Sequence, residues 1–155
     1  MAISKWQLAN GFTLIELIVV MGIFATLAGI TTISLLNAQH KSMLGAVTST
    51  FVADLKAQQL RAMVGDTGGS ANAANYGVRL QDGSYTLFTD TYGTSNFVID
   101  MPDVIEFTAP DYQMIFLKGS GEMLGGPGSV TIRDTQDGSQ KTININKYGI
   151  VTGIN

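Results

Sequence analysis

Three patterns of hydrophobic and polar positions divide the chain. From Phe12 to Leu36, 25 residues are apolar or small, and Glu16 is the one charged side chain among them. A helix of that length is about 37 Å long, more than the roughly 30 Å hydrocarbon core of a bilayer. Beyond Leu36 the chain turns polar, but Leu44, Val47, Phe51 and Leu55 recur at spacings of three and four, and Ala62 extends the stripe through Gln58. This period predicts an amphipathic helix with one apolar face. Gly65 follows the last periodic residue and Arg61 lies in the last turn, which together predict a helix stop. One helix from Phe12 to Val64, roughly 80 Å long, is therefore expected.

After a small, polar stretch at residues 65–75, "GDTGGSANAAN", the period changes. "YGVRL" and "SYTLFTD" flank "QDG", a hairpin signal that puts Val78, Leu80, Tyr85 and Leu87 on one face. "FVID", "VIEFT", "YQMIFLK", "SVTIRD", "KTININK" and "GIVTG" follow as further short runs, making seven or eight strands. Turns at these intervals suit a β-sandwich or a pair of small antiparallel sheets. The stripe on the outer helix cannot bury itself, so the sheets must cover it. The expected class is α+β: a long N-terminal helix packed against a β-rich head. Its expected divisions are residues 1–11, an apolar helix at 12–36, its amphipathic continuation at 37–64 and the head at 65–155.

Composition narrows the functions. At 14% charged and 45% hydrophobic residues the 155-residue chain has the means to fold. Its net charge of −3 gives no general attraction to nucleic acid. With no cysteine, disulfides, thiol nucleophiles and thiolate metal sites are excluded.

Glu16 is the anomaly. A carboxylate at the bilayer centre costs about 2.5–3.5 kcal/mol on insertion scales, and less near an end. A cleaved secretory signal fits poorly, since its apolar core is about 7–15 residues and small residues should follow; here "LLNAQ" ends a far longer run. A plain membrane anchor fits the length and leaves the charge unexplained. The segment "GFTLIEL" resembles the type IV prepilin signal, shared by type IV pilins and the pseudopilins of type II secretion. Gly11, Phe12 and Glu16 match that family pattern residue by residue. One departure is Lys5, the only basic side chain before the motif, set apart from Gly11 by "QLAN".

The resemblance implies that residues 1–11 are a leader, that prepilin peptidase cuts between Gly11 and Phe12, and that the new amine of Phe12 is methylated. It also implies a single pass of the bacterial inner membrane, N-terminus inside and head outside, followed by assembly with other pilin or pseudopilin subunits into a filament. There Glu16 would meet the Phe12 amine of a neighbour; the competing pairing is with the amine of its own chain. An uncompensated buried charge costs about 3–5 kcal/mol, so a pairing between subunits would act as a register device. Gly22, Ala25, Thr26 and Gly29 set small residues at four-residue spacings, as helices packing closely in lipid require. Many major pilins of the resembled family carry a helix-kinking proline in this segment; none falls between Phe12 and Val64 here, so the resemblance leans toward a minor subunit or pseudopilin. The order "MIFLKGSGEM … SVTIRD … DGSQKTININKYGIV" also resembles, loosely, the C-terminal module of pseudopilin H and FimT-type minor pilins.

Nothing in the sequence points to catalysis, a metal or a cofactor. His40 stands alone beside Lys41 and is expected to be a solvated residue at the outer end of the apolar segment. "GGPGS" lacks the lysine and hydroxyl of a phosphate loop, and "DTQDG", with Asp134 and Asp137, reads as a hairpin turn rather than a calcium loop. Asp100, Asp103 and Glu106 are expected on a solvated edge. A rival reading is a membrane-anchored binding protein, including a FimT-like DNA-uptake pilin. Arg133, Lys141 and Lys147 are its candidate basic cluster. Without the leader the chain has 8 basic against 12 acidic residues, which argues against nucleic acid as a partner.

Overall fold

The computed structural model describes residues 12–93 and 96–155, and for residues 31–37 the backbone only. One helix, α1, covers Leu14–Met63, and eight strands follow. They are β1 (Tyr76–Gln81), β2 (Ser84–Thr89), β3 (Asn96–Asp100), β4 (Ile105–Phe107), β5 (Gln113–Phe116), β6 (Gly128–Asp134), β7 (Gln140–Ile145) and β8 (Val151–Ile154). Two four-stranded antiparallel sheets form, one in the order β3-β2-β1-β5 and the other β4-β6-β7-β8. The α+β class and the pair of small sheets are borne out. The chain divides into two compact units, Met1–Ala38 and Gln39–Asn155.

Within the second unit the apolar stripe of α1 becomes core. Leu44, Phe51, Leu55 and Ala62 are buried, Gln58 is buried with them, and Val47 is partly covered. Phe51 is the hub. Its ring meets Tyr85 of β2 edge-on at 5.1 Å and Phe107 of β4 at 5.2 Å, so one side chain joins the helix to both sheets. Edge-to-face pairs of this kind add about 0.5–1.5 kcal/mol beyond area burial.

The helix ends where its capping chemistry requires. Gly65 adopts φ 70°, and its N–H donates to the Ala62 carbonyl at 3.2 Å. The Asp66 N–H reaches the Arg61 carbonyl at 3.0 Å, which completes a Schellman motif. The Ala62 carbonyl also accepts from Gly119 at 2.8 Å, tying the helix end to the loop after β5.

The β1–β2 hairpin forms as expected, and its register places the four alternating positions together: Val78 opposes Leu87, Leu80 opposes Tyr85, and Gly83 turns the loop with φ 68°. Phe88 packs where the alternation did not place it. It is buried at 1% exposure on the face opposite Tyr85, lying over Gly77 directly across the ladder and against Tyr92 at 6.0 Å.

Candidate functional site

The described part of the processing motif begins at Phe12. Gly11, one side of the expected cleavage point, lies outside the described residues. Phe12 is 81% exposed, just ahead of α1. Thr13 caps the helix: its carbonyl accepts the Leu17 N–H at 3.2 Å, and its Oγ1 accepts the Glu16 N–H at 3.3 Å. Thr13 and Glu16 thus stand at the first and last positions of a T-x-x-E sequence of which the Thr13 cap is formed, with the acidic side chain in the first turn. Sequence reasoning overlooked Thr13, although a hydroxyl residue three places before a glutamate at the head of an apolar run is the signal for it.

Capping alone is too small to account for Glu16. A cap contributes about 0.5–2 kcal/mol and an acidic group in the first turn about 0.3–1 kcal/mol. Both favour a solvated helix end, whereas a carboxylate in hydrocarbon costs more than either. Among the described residues Glu16 has no cationic partner within ion-pair distance.

From Phe12 to Ile30 every residue is exposed, including Ile18, Phe24 and Ile30 at 57%, 68% and 70%. A helix apolar on all sides is a buried helix whose cover comes from elsewhere. Gly22, Ala25, Thr26 and Gly29 fall within an arc of about 100° of the helix surface at 3.6 residues per turn. A Cβ added at Gly22 or Gly29 would meet nothing within 4 Å, so the fold of the single chain does not demand glycine there. The Thr26 hydroxyl donates to the Ile23 carbonyl at 2.8 Å, satisfying a polar group inside the apolar run. Among the described residues no helix is long and apolar enough to cross a membrane. The described side chains of the run end at Ile30, and the apolar sequence continues to Leu36.

His40 corrects the sequence reading. It is not simply solvated: its Nδ1 lies 3.1 Å from Oδ2 of Asp134, whose side chain is completely buried. The other oxygen, Oδ1, accepts the N–H groups of Gln136 at 2.8 Å and Asp137 at 3.4 Å. The hairpin turn expected at "DTQDG" is present, and Asp134 also anchors it to α1. Asp137, at the same turn, is held below the usual carboxylate range, chiefly by its hydrogen bonds with Ser139, helped by the charges of His40 and Lys41.

The three basic residues proposed as a cluster do not converge. Lys141 opposes buried Ile132 across the β6–β7 ladder, so Arg133 points to the other face of the sheet, where it opposes Glu106. Lys147 lies over the ring of Tyr148 at 4.8 Å. Asp100 and Asp103 are exposed and Glu106 is half-buried, as an edge would have them. Among the described residues no group of His, Asp or Glu has the arrangement of a metal site.

Comparison with known families finds one match. Residues 6–32 fit the prokaryotic N-terminal methylation motif. No curated protein and no solved structure matches the chain. The motif supports a type IV pilin-like protein whose N-terminus is a substrate of prepilin processing.

Proposed function

We propose that the chain is a structural subunit, of minor type, of a type IV pilus or a type II secretion pseudopilus. The observation that carries this reading is the methylation motif at residues 6–32, placed at the head of a helix that is apolar on every side. In this account prepilin peptidase cuts between Gly11 and Phe12 and methylates the Phe12 amine. The precursor spans the inner membrane once through residues 12–36, N-terminus inside, and the subunit then moves into a filament whose core is bundled N-terminal helices. Head-to-tail contacts that do not close into a ring build such a filament. Gly22, Ala25, Thr26 and Gly29 let neighbouring helices approach, and Glu16 pairs with a neighbour's Phe12 amine.

Mass spectrometry of the native protein tests the processing step, with a methylated N-terminal Phe12 as the expected result. An intact Met1 would remove the reading. Assembly is tested by Glu16→Ala beside Thr13→Val. Thr13→Val removes the observed cap and keeps the charge, whereas Glu16→Ala keeps the cap and removes the charge. Membrane insertion should persist in both, with incorporation into filaments lost in Glu16→Ala alone. Equal incorporation of the two variants would end the register account.

A further inference from the structure

We propose that the groove between α1 and the edge strand β3 binds an extended segment of another polypeptide that carries an acidic side chain among aliphatic neighbours. The groove has a volume of about 510 Å³. It is lined by Gln58 and Arg61 of α1, Leu87 and Thr89 of β2, and Asn96 and Phe97 of β3. It lies wholly within the second unit and does not depend on whether the chain polymerises.

Two sets of observations point to a ligand. The first is an unanswered polar group. Gln58 is only 3% exposed, and its Oε1 has no hydrogen-bond partner among the described residues. That oxygen is sealed from solvent, so a donor in the groove meets it only once the Gln58 amide turns toward the opening; an acceptor left unmade costs about 1–3 kcal/mol, which that bond would recover. Arg61, one helical turn further on, is exposed, and no carboxylate among the described residues stands within ion-pair distance of it. It acts on Asp66 only from beyond that distance. The groove therefore offers an acceptor and a cation side by side, which suits a chain segment presenting an N–H or hydroxyl next to a carboxylate.

The second is an unprotected strand. β3 pairs with β2 on one side, and among the described residues no strand lies on the other. Natural edges are usually blunted by lysine, proline or a bulge. The sequence of β3, "NFVID", has neither lysine nor proline, its one charge is Asp100 at the far end from Phe97, and Phe97 and Val98 are 67% and 54% exposed. Phe97 opposes Leu87 in register, two places from Tyr85, so it faces the α1 side and forms the apolar wall of the groove. Adding a strand to β3 would supply main-chain hydrogen bonds, and the groove would read the alternate side chains.

The test uses the full chain in detergent micelles. The probe is a capped, fluorescein-labelled eight-residue peptide of alternating valine and threonine with one central aspartate; its twin has lysine in place of aspartate. Fluorescence anisotropy should show binding of the aspartate peptide, with the lysine peptide weaker by about tenfold or more. Arg61→Ala is an exposed change that leaves the fold intact, and it should erase the difference between the peptides. Gln58→Leu should weaken both, with circular dichroism confirming that the variant is folded. The proposal is overturned if wild type binds neither peptide, or binds both alike. It is also overturned if ultracentrifugation finds a dimer that Phe97→Ser dissociates, since the groove would then belong to a second copy.

Discussion

Single side chains decide how the head responds to pH. The Tyr85 ring is buried at 1% exposure, and its hydroxyl donates to Oδ2 of Asp54 at 2.5 Å. Burial, and then the Asp54 carboxylate, push its ionisation well above the ordinary phenol value. Tyr76 moves the same way, through burial and its hydrogen bond to Asp66. A group whose folded pKa is raised stabilises the fold fully below its unfolded pKa, near 10 for tyrosine, and loses that contribution as pH rises further. Tyr85→Phe should therefore destabilise the head by about 1.5–3 kcal/mol at pH 8, the range for a hydrogen bond to a charged group. The gap from wild type should narrow above pH 10, because only wild type then faces the cost of keeping Tyr85 protonated. Urea midpoints at pH 8, 10 and 11 measure this. A constant gap across that range would show that the hydroxyl is not held by Asp54.

At the scale of elements, legibility followed the strength of the period. Helix α1 and the β1–β2 hairpin were visible because Leu44, Phe51 and Leu55 repeat every three or four residues and "QDG" punctuates an alternation. Phe88 was not visible, because a two-residue period assigns one buried face per strand, whereas β2 buries residues on both. The outer face of its sheet is covered locally: Phe88 lies over Gly77, Tyr92 packs on Phe88, and the Arg79 guanidinium sits 4.5 Å from the Tyr92 ring. Such a cover depends on register, which sequence alone does not supply. The His40–Asp134 contact was hidden for a similar reason, since 94 residues separate its partners. Thr13 was within reach, its spacing to Glu16 being purely local. The Gly77 position gives a sharp test. A Cβ there would collide with the Phe88 ring, so Gly77→Ala should cost about 1–3 kcal/mol as overpacking. Phe88→Leu in the same chain should relieve part of that cost, and a double-mutant cycle by urea denaturation would measure the coupling. Strict additivity would mean that the ring does not rest on the glycine.

For the whole molecule, the two units obey different rules. Residues 12–30 have every described side chain exposed, and their apolar surface asks for a lipid or protein cover. Residues 39–155 enclose a core that runs from Leu44 and Phe51 through Tyr85, Phe107 and Ile132 to Ile145. Such a core needs nothing from the apolar segment, so a fragment of residues 39–155 should be soluble and unfold in one cooperative step. The fragment keeps His40, which makes it the place to weigh the buried pair. Asp134 is sealed from solvent and shares one oxygen with His40 and the other with the turn. Removing the imidazole leaves a buried carboxylate with two backbone donors and no side-chain partner. Breaking a buried pair from one side costs about 3–5 kcal/mol, more than most surface substitutions by an order of magnitude. His40→Ala in this fragment should lower the unfolding free energy by about 3 kcal/mol, while Lys41→Ala, at an exposed neighbour, should change it by less than about 0.5 kcal/mol. Thermal and urea unfolding of the three fragments separate the cases. If His40→Ala proves as mild as Lys41→Ala, the imidazole is not what secures the β6–β7 turn to the helix, and the turn's own hydrogen bonds suffice.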